Sequence, residues 1–132
     1  MTGKPRLVAV AVVSLVLTGL FGCGDSSGSA DEDQIRQVAA DFSKAIADGD
    51  YQGACDLFAP ESIKFFNTQK AVPDGCAGVM RLSYGQKSDE DIKALGEVES
   101  LDVNGDKATA DLGGGESAQY EKIDGNWVMT LD

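Results

Sequence analysis

The chain has 132 residues, a formal net charge of −11 and no histidine. That length leaves room for one small domain once a leader is set aside, and the acidity opposes nucleic acid and anionic lipid heads, which basic faces bind. Lack of histidine removes the commonest general base and a usual zinc ligand.

At the N-terminus, Lys4 and Arg6 precede an apolar run from Leu7 to Leu20. This is the layout of an export leader, and the run is short of the roughly 20 apolar residues that span a bilayer. The run ends in Leu20-Phe21-Gly22-Cys23, and the chain then turns polar through Asp25, Ser26, Ser27, Gly28 and Ser29. The junction resembles the lipobox of bacterial lipoprotein signal peptides, with an aliphatic residue three before the cysteine and a small one just before it. The resemblance implies that residues 1–22 are removed and that Cys23 is the lipid attachment site. It places the protein on the extracytoplasmic face of the cell membrane, held by acyl chains worth about 0.8 kcal/mol per buried CH2. Residues 23–30 then read as acylated cysteine and flexible Gly/Ser tether, and residues 31–132 as the domain. The lost leader carries two bases and no acid, so the remainder is more acidic still. With Cys23 acylated, Cys55 and Cys76 remain as an even pair in an oxidising compartment, and a disulfide is expected.

Ile35, Val38, Ala39, Phe42, Ala45 and Ile46 fall at helical spacing and predict a first helix, capped at Ser29 or Asp31 and stopped at Gly49. Asp50 is positioned to cap a second helix with Tyr51, Ala54, Leu57 and Phe58 on its apolar stripe and Pro60 at its end. Pro60 can also open a short turn, Glu61 to Phe66. Asp74 is the expected cap of a third helix with Cys76, Val79, Met80 and Tyr84 facing inward, closed by Gly85. The stretch from Gln86 to Asp91 reads as a polar connection.

From Ile92 onward the pattern is β. Asn104-Gly105 predicts a two-residue hairpin turn, setting Leu101 opposite Ala108 and Asp102 opposite Lys107, with a bulge near Ser100 that returns Val98 to the apolar face. Gly113-Gly114-Gly115 forms a flexible connection; it lacks the lysine and helix of a phosphate loop. Asp124-Gly125 joins the last two strands, with Tyr120 opposite Met129 and Ala118 opposite Leu131. Asp102, Asn104 and Asp106 mimic the start of a calcium loop, but Lys107 occupies the glycine position and Gly113 that of the bidentate acid, so no metal site is expected.

Helices followed by an antiparallel meander, with Asp124-Gly125-Asn126-Trp127 before a terminal strand, resemble the nuclear transport factor 2-like superfamily. The junction Ala47-Asp48-Gly49-Asp50-Tyr51, followed by Ala54, Cys55, Leu57 and Phe58, is similar to the turn between the first two helices of that family. Cys55 and Cys76 resemble the disulfide of small actinobacterial envelope members. The resemblance implies an α+β fold: three N-terminal helices packed on a curved antiparallel sheet, cone-shaped, with a cystatin-like topology and a pocket at the open end. Phe42, Tyr84, Tyr120 and Met129 are the expected pocket-lining residues.

Enzymes of this superfamily transfer protons with an acid/base group and an oxyanion donor. Asp41 and Asp56 are the nearest candidates for a base, with Tyr51, Tyr84 or Tyr120 as donor, but both acids fall off the apolar stripes and read as solvated charges. A non-enzymatic reading follows, without cofactor: a domain that binds a small apolar ligand or an envelope protein partner. The alternatives are an isomerase or dehydratase with a pocket carboxylate, and a dimerisation module meeting a second copy through Thr109, Glu121 and Val128.

Overall fold

The computed structural model describes residues 26–131; the expected leader, the expected cleavage junction and Cys23 lie outside them. Five helices precede a four-stranded antiparallel meander. The helices are α1 (Ser26–Ala47), α2 (Tyr51–Cys55), α3 (Pro60–Asn67), α4 (Gly75–Tyr84) and α5 (Asp89–Ala94), and the strands are β1 (Val98–Asn104), β2 (Lys107–Leu112), β3 (Ser117–Ile123) and β4 (Asn126–Thr130). The fold is α+β, with helices packed on one face of an open sheet in the order β1-β2-β3-β4.

α1 buries the stripe its spacing predicts: Ile35, Ala39, Phe42 and Ile46 are all buried. It opens at Ser26, inside the stretch expected as tether. Its N-terminal part is latched to the sheet by Asp31, whose Oδ1 accepts from Lys122 Nζ (2.8 Å) and Trp127 Nε1 (3.0 Å). The Lys122 ammonium, and after it the indole N–H, hold the Asp31 carboxyl below its usual range. That contribution to stability is present above the unfolded carboxyl pKa and is lost as the pH falls through the lower folded one.

Asp50 caps α2 as expected, its Oδ1 accepting from Gly53 N at 2.9 Å. The helix stops at Cys55, short of Leu57 and Phe58, because residues 57–59 run along β4 instead. Met129 N donates to Leu57 O and Ala59 N to Met129 O, both at 2.8 Å, so Phe58 bridges Met129 in parallel and covers the outer edge of the sheet. Pro60 then occupies the first turn of α3, where its missing N–H is no loss.

Two further expectations for the helical half are corrected. Asp74 does not cap α4: it sits in the left-handed region (φ 68°), which turns its side chain away from the helix N–H groups. Asn67 does the work from the end of α3, its Oδ1 accepting from Cys76 N at 3.0 Å. The polar connection from Gln86 to Asp91 instead contains the start of a fifth helix, so Ile92 is helical. Ser88 caps the helix by accepting from Asp91 N and donates its hydroxyl to the Asp91 carboxylate, and Asp89, Glu90 and Asp91 fill the positive first turn. Ile92 in the helix and Leu95 at its C-cap are buried, and Ser43 Oγ donates to Ile92 O at 2.7 Å to seat it on α1.

The sheet follows the expected alternation with one slip. Asn104 pairs with Lys107 and Leu101 with Ala110, so the hairpin loop is Gly105-Asp106, two residues from the expected register. Gly105 has φ 63° while Asp106 does not have positive φ, the sign pattern of a turn with glycine in the first central position. A slip of two preserves the faces, since side chains alternate with a period of two: Val103 takes the place opposite Ala108 expected of Leu101, and the bulge between Val98 and Ser100 brings Val98 opposite Leu112. At the second hairpin Asp124 and Gly125 both have positive φ and Tyr120 pairs with Met129, as predicted. Pairing ends at Gln119 and Thr130, so Ala118 and Leu131 are not partners; Leu131 N donates to Ser62 Oγ at 3.2 Å instead.

Candidate functional site

The inward sheet face carries Ala110, Leu112, Ala118, Tyr120, Trp127 and Met129, all buried. Toward the end where β2 runs into β3, the helices leave a cleft of about 330 Å³. Phe42 of α1, Phe58, Phe66 of α3, Met80 of α4, Leu95 and Met129 are among its apolar walls. Ser83, Tyr84, Glu116, Ser117, Gln119 and Thr130 supply the polar groups around it. Its volume lies at the small end of ligand pockets, which run from about 300 to 1,000 Å³.

A disulfide between Cys55 and Cys76 joins α2 to α4 and so fixes the wall that carries Val79, Met80, Ser83 and Tyr84. The aromatic walls are mutually braced. Phe42 meets Phe58 and Tyr84 edge to face at centroid distances of 5.9 and 5.4 Å, and Phe58 meets Phe66 at 5.3 Å. Gly78 gives α4 its close seat: a Cβ there would stand 1.8 Å from the Pro73 carbonyl oxygen.

One ion pair marks the mouth. Lys87 Nζ bonds Glu116 Oε1 at 2.7 Å and stands 6.0 Å from the centre of the Tyr84 ring. Burial, and then the nearby Glu116 carboxylate, raise the Tyr84 phenol above its usual range, so it is a neutral hydrogen-bond donor at neutral pH. Glu116 is the carboxylate of the cleft; it is exposed and held by Lys87. Asp41 and Asp56 are exposed, away from the cleft, and accept from Gln37 and Gln52.

Of the residues expected to line a pocket, Phe42, Tyr84 and Met129 border the cleft and Tyr120 does not. Tyr120 lies mid-strand between Ala108 and Met129, back from the strand end where the cleft opens, and its ring is 2% exposed in the core. Among the described residues its hydroxyl has no hydrogen-bond partner, and burial pushes its pKa up to about 12. An unpaired buried hydroxyl carries a desolvation penalty of about 1–3 kcal/mol. Tyr120→Phe is therefore expected to raise stability by about 1 kcal/mol in urea unfolding. The variant should also lose the fall in stability from about pH 10 toward pH 12, because the unfolded phenol releases its proton first. A loss of stability would instead reveal a partner for the hydroxyl.

Spacing alone does not point to Lys87 and Glu116, which are 29 residues apart. They meet because Gly113–Gly115 form a tight 3-10 turn, tied by Gly113 N to Glu97 O at 2.9 Å, that carries Glu116 back toward the end of α4. Asp102, Asn104 and Asp106 lie at the first hairpin, and among the described residues no group of acids or cysteines is arranged to hold a metal ion.

No family model matches the chain, and no curated protein matches it. Among solved structures, the chain is similar to a proposed dehydratase of the NTF2-like family from Streptomyces avermitilis. The two are 16% identical, with a TM-score of 0.42 over 77% of this chain and 93% of that one.

Proposed function

We propose that the protein is a lipoprotein of the cell envelope, anchored through Cys23, whose nuclear transport factor 2-like domain binds a small apolar ligand without transforming it. The observation that carries the ligand reading is the cleft: an aromatic and methionine interior with one ion pair at its mouth. Such a site takes up apolar surface at about 25 cal/mol per Å² while a few polar groups orient the guest. A general base needs a carboxylate able to reach the substrate proton, and Glu116 is already engaged by Lys87. The Cys23 anchor rests on the lipobox-like junction Leu20-Phe21-Gly22-Cys23.

Ser83 tests the cleft, because it lines the cleft yet is exposed and free to change. Ser83→Trp is expected to fill the mouth and reduce binding of the neutral dye N-phenyl-1-naphthylamine by at least about tenfold, equivalent to about 1.4 kcal/mol. Stability should stay within about 0.5 kcal/mol of the parent, as for other surface changes. Equal dye binding by parent and variant would remove the cleft as the site.

A further inference from the structure

We propose that the cleft is the inner half of a longer site for a single-chain alkyl amphiphile, whose tail continues along the groove between α3 and α4. This deepens the reading of the cleft as an apolar ligand site and rests on it. A second hollow of about 340 Å³ adjoins the cleft, lined by Phe65, Gln69, Val72 and Leu82, and the two share Phe66, Val79 and Ser83. The two hollows meet along these three shared residues.

Exposure around the two hollows is concentrated. Leu82 (68%), Phe65 (56%) and Leu131 (41%) are the exposed large hydrophobic residues among those described. Leu82 and Phe65 border the groove; Leu131 borders the cleft and joins Phe65 in a neighbouring hollow. Single exposed apolar side chains are ordinary, whereas their convergence marks a binding surface. A chain can occupy two hollows that meet at shared walls, whereas a compact ring fills only one. A peptide adding as a strand at the β4 edge beside the cleft is disfavoured, because that edge is taken by residues 57–59. At the mouth of the cleft Lys87, Glu116 and Tyr84 offer a donor and an acceptor that together carry no net charge, in a chain of net charge −11. That setting favours a compact head with at most one negative charge.

The test uses the full chain in its own membrane vesicles with two diazirine-bearing alkyl carboxylates, of hexanoyl and hexadecanoyl length, and maps the photoadducts by peptide mass spectrometry. Both probes are expected to label the cleft, and the long one alone to label the groove from Phe65 to Val72. Leu82→Glu should reduce groove labelling by the long probe about tenfold, the effect of losing one large apolar contact, and leave the short probe unchanged. Phe65→Ser should act in the same direction, which guards against a local folding effect of either change. Identical patterns from the two probes, unaffected by Leu82→Glu, would overturn the extended path while leaving the cleft reading in place. Labelling of the cleft by neither probe would overturn both. Unchanged labelling together with loss of a dimer in Leu82→Glu would make the groove a self-association face and overturn the proposal.

Discussion

Replacing Cys55 and Cys76 together by alanine is expected to lower the unfolding free energy by about 3 kcal/mol, the chain-entropy value for a loop of this length. The bridged residues are 21 apart in sequence and both are buried, so the bond restrains the unfolded chain across α3 and the loop that follows it. A small domain typically has about 5–15 kcal/mol in all, so the loss is a large fraction. Urea unfolding of the double variant should show a lower midpoint, and the melting temperature should fall by roughly 12–24 °C. The effect should reach the cleft as well, since α4 then keeps its position through packing and the Asn67 cap alone. A change below about 1 kcal/mol would mean that the helices hold together without the bond.

Phe42→Ala is expected to be at least as severe, at about 3–5 kcal/mol. Phe42 is 2% exposed, and it joins α1 to Phe58 and Tyr84 through edge-to-face contacts. Removing its ring therefore leaves a cavity and also ends two aromatic pairs, each worth about 0.5–1.5 kcal/mol beyond area burial. Phe65→Ala makes the contrast: the same chemistry at a side chain 56% exposed should change stability by about 0.5 kcal/mol or less. Chemical denaturation of the two variants compares them directly, and similar losses would place Phe65 in the folded core.

Much of this architecture is legible in the chain because it is written in periodicity. The stripe Ile35, Ala39, Phe42 and Ile46 is repeated often enough to define one face, and Asp50 and Asp124-Gly125 are local signals whose geometry depends on few neighbours. α5 is harder to read because six residues provide only Ile92, with Leu95 just beyond, as apolar markers, while its acidic first turn looks like a solvated connection. Yet Ser88 and Asp91 were a usable capping signal. The first hairpin slips because glycine serves either central position of a tight turn, and a shift of two residues leaves every side chain on its own face. Tyr120 shows the limit for site residues: alternation gives its face but not its depth along the strand, and depth separates the core from the cleft.

The proposed anchor at Cys23 and the proposed apolar guest of the cleft are both addressed by native mass spectrometry of the full-length gene product released from its own membrane. The expected species begins at Cys23, carries diacylglycerol and further acyl mass there, is two hydrogens light for the Cys55–Cys76 bond, and retains a noncovalent apolar adduct that Ser83→Trp loses. A chain with an unmodified Cys23 would contradict the anchor, and an adduct-free parent would contradict the cleft.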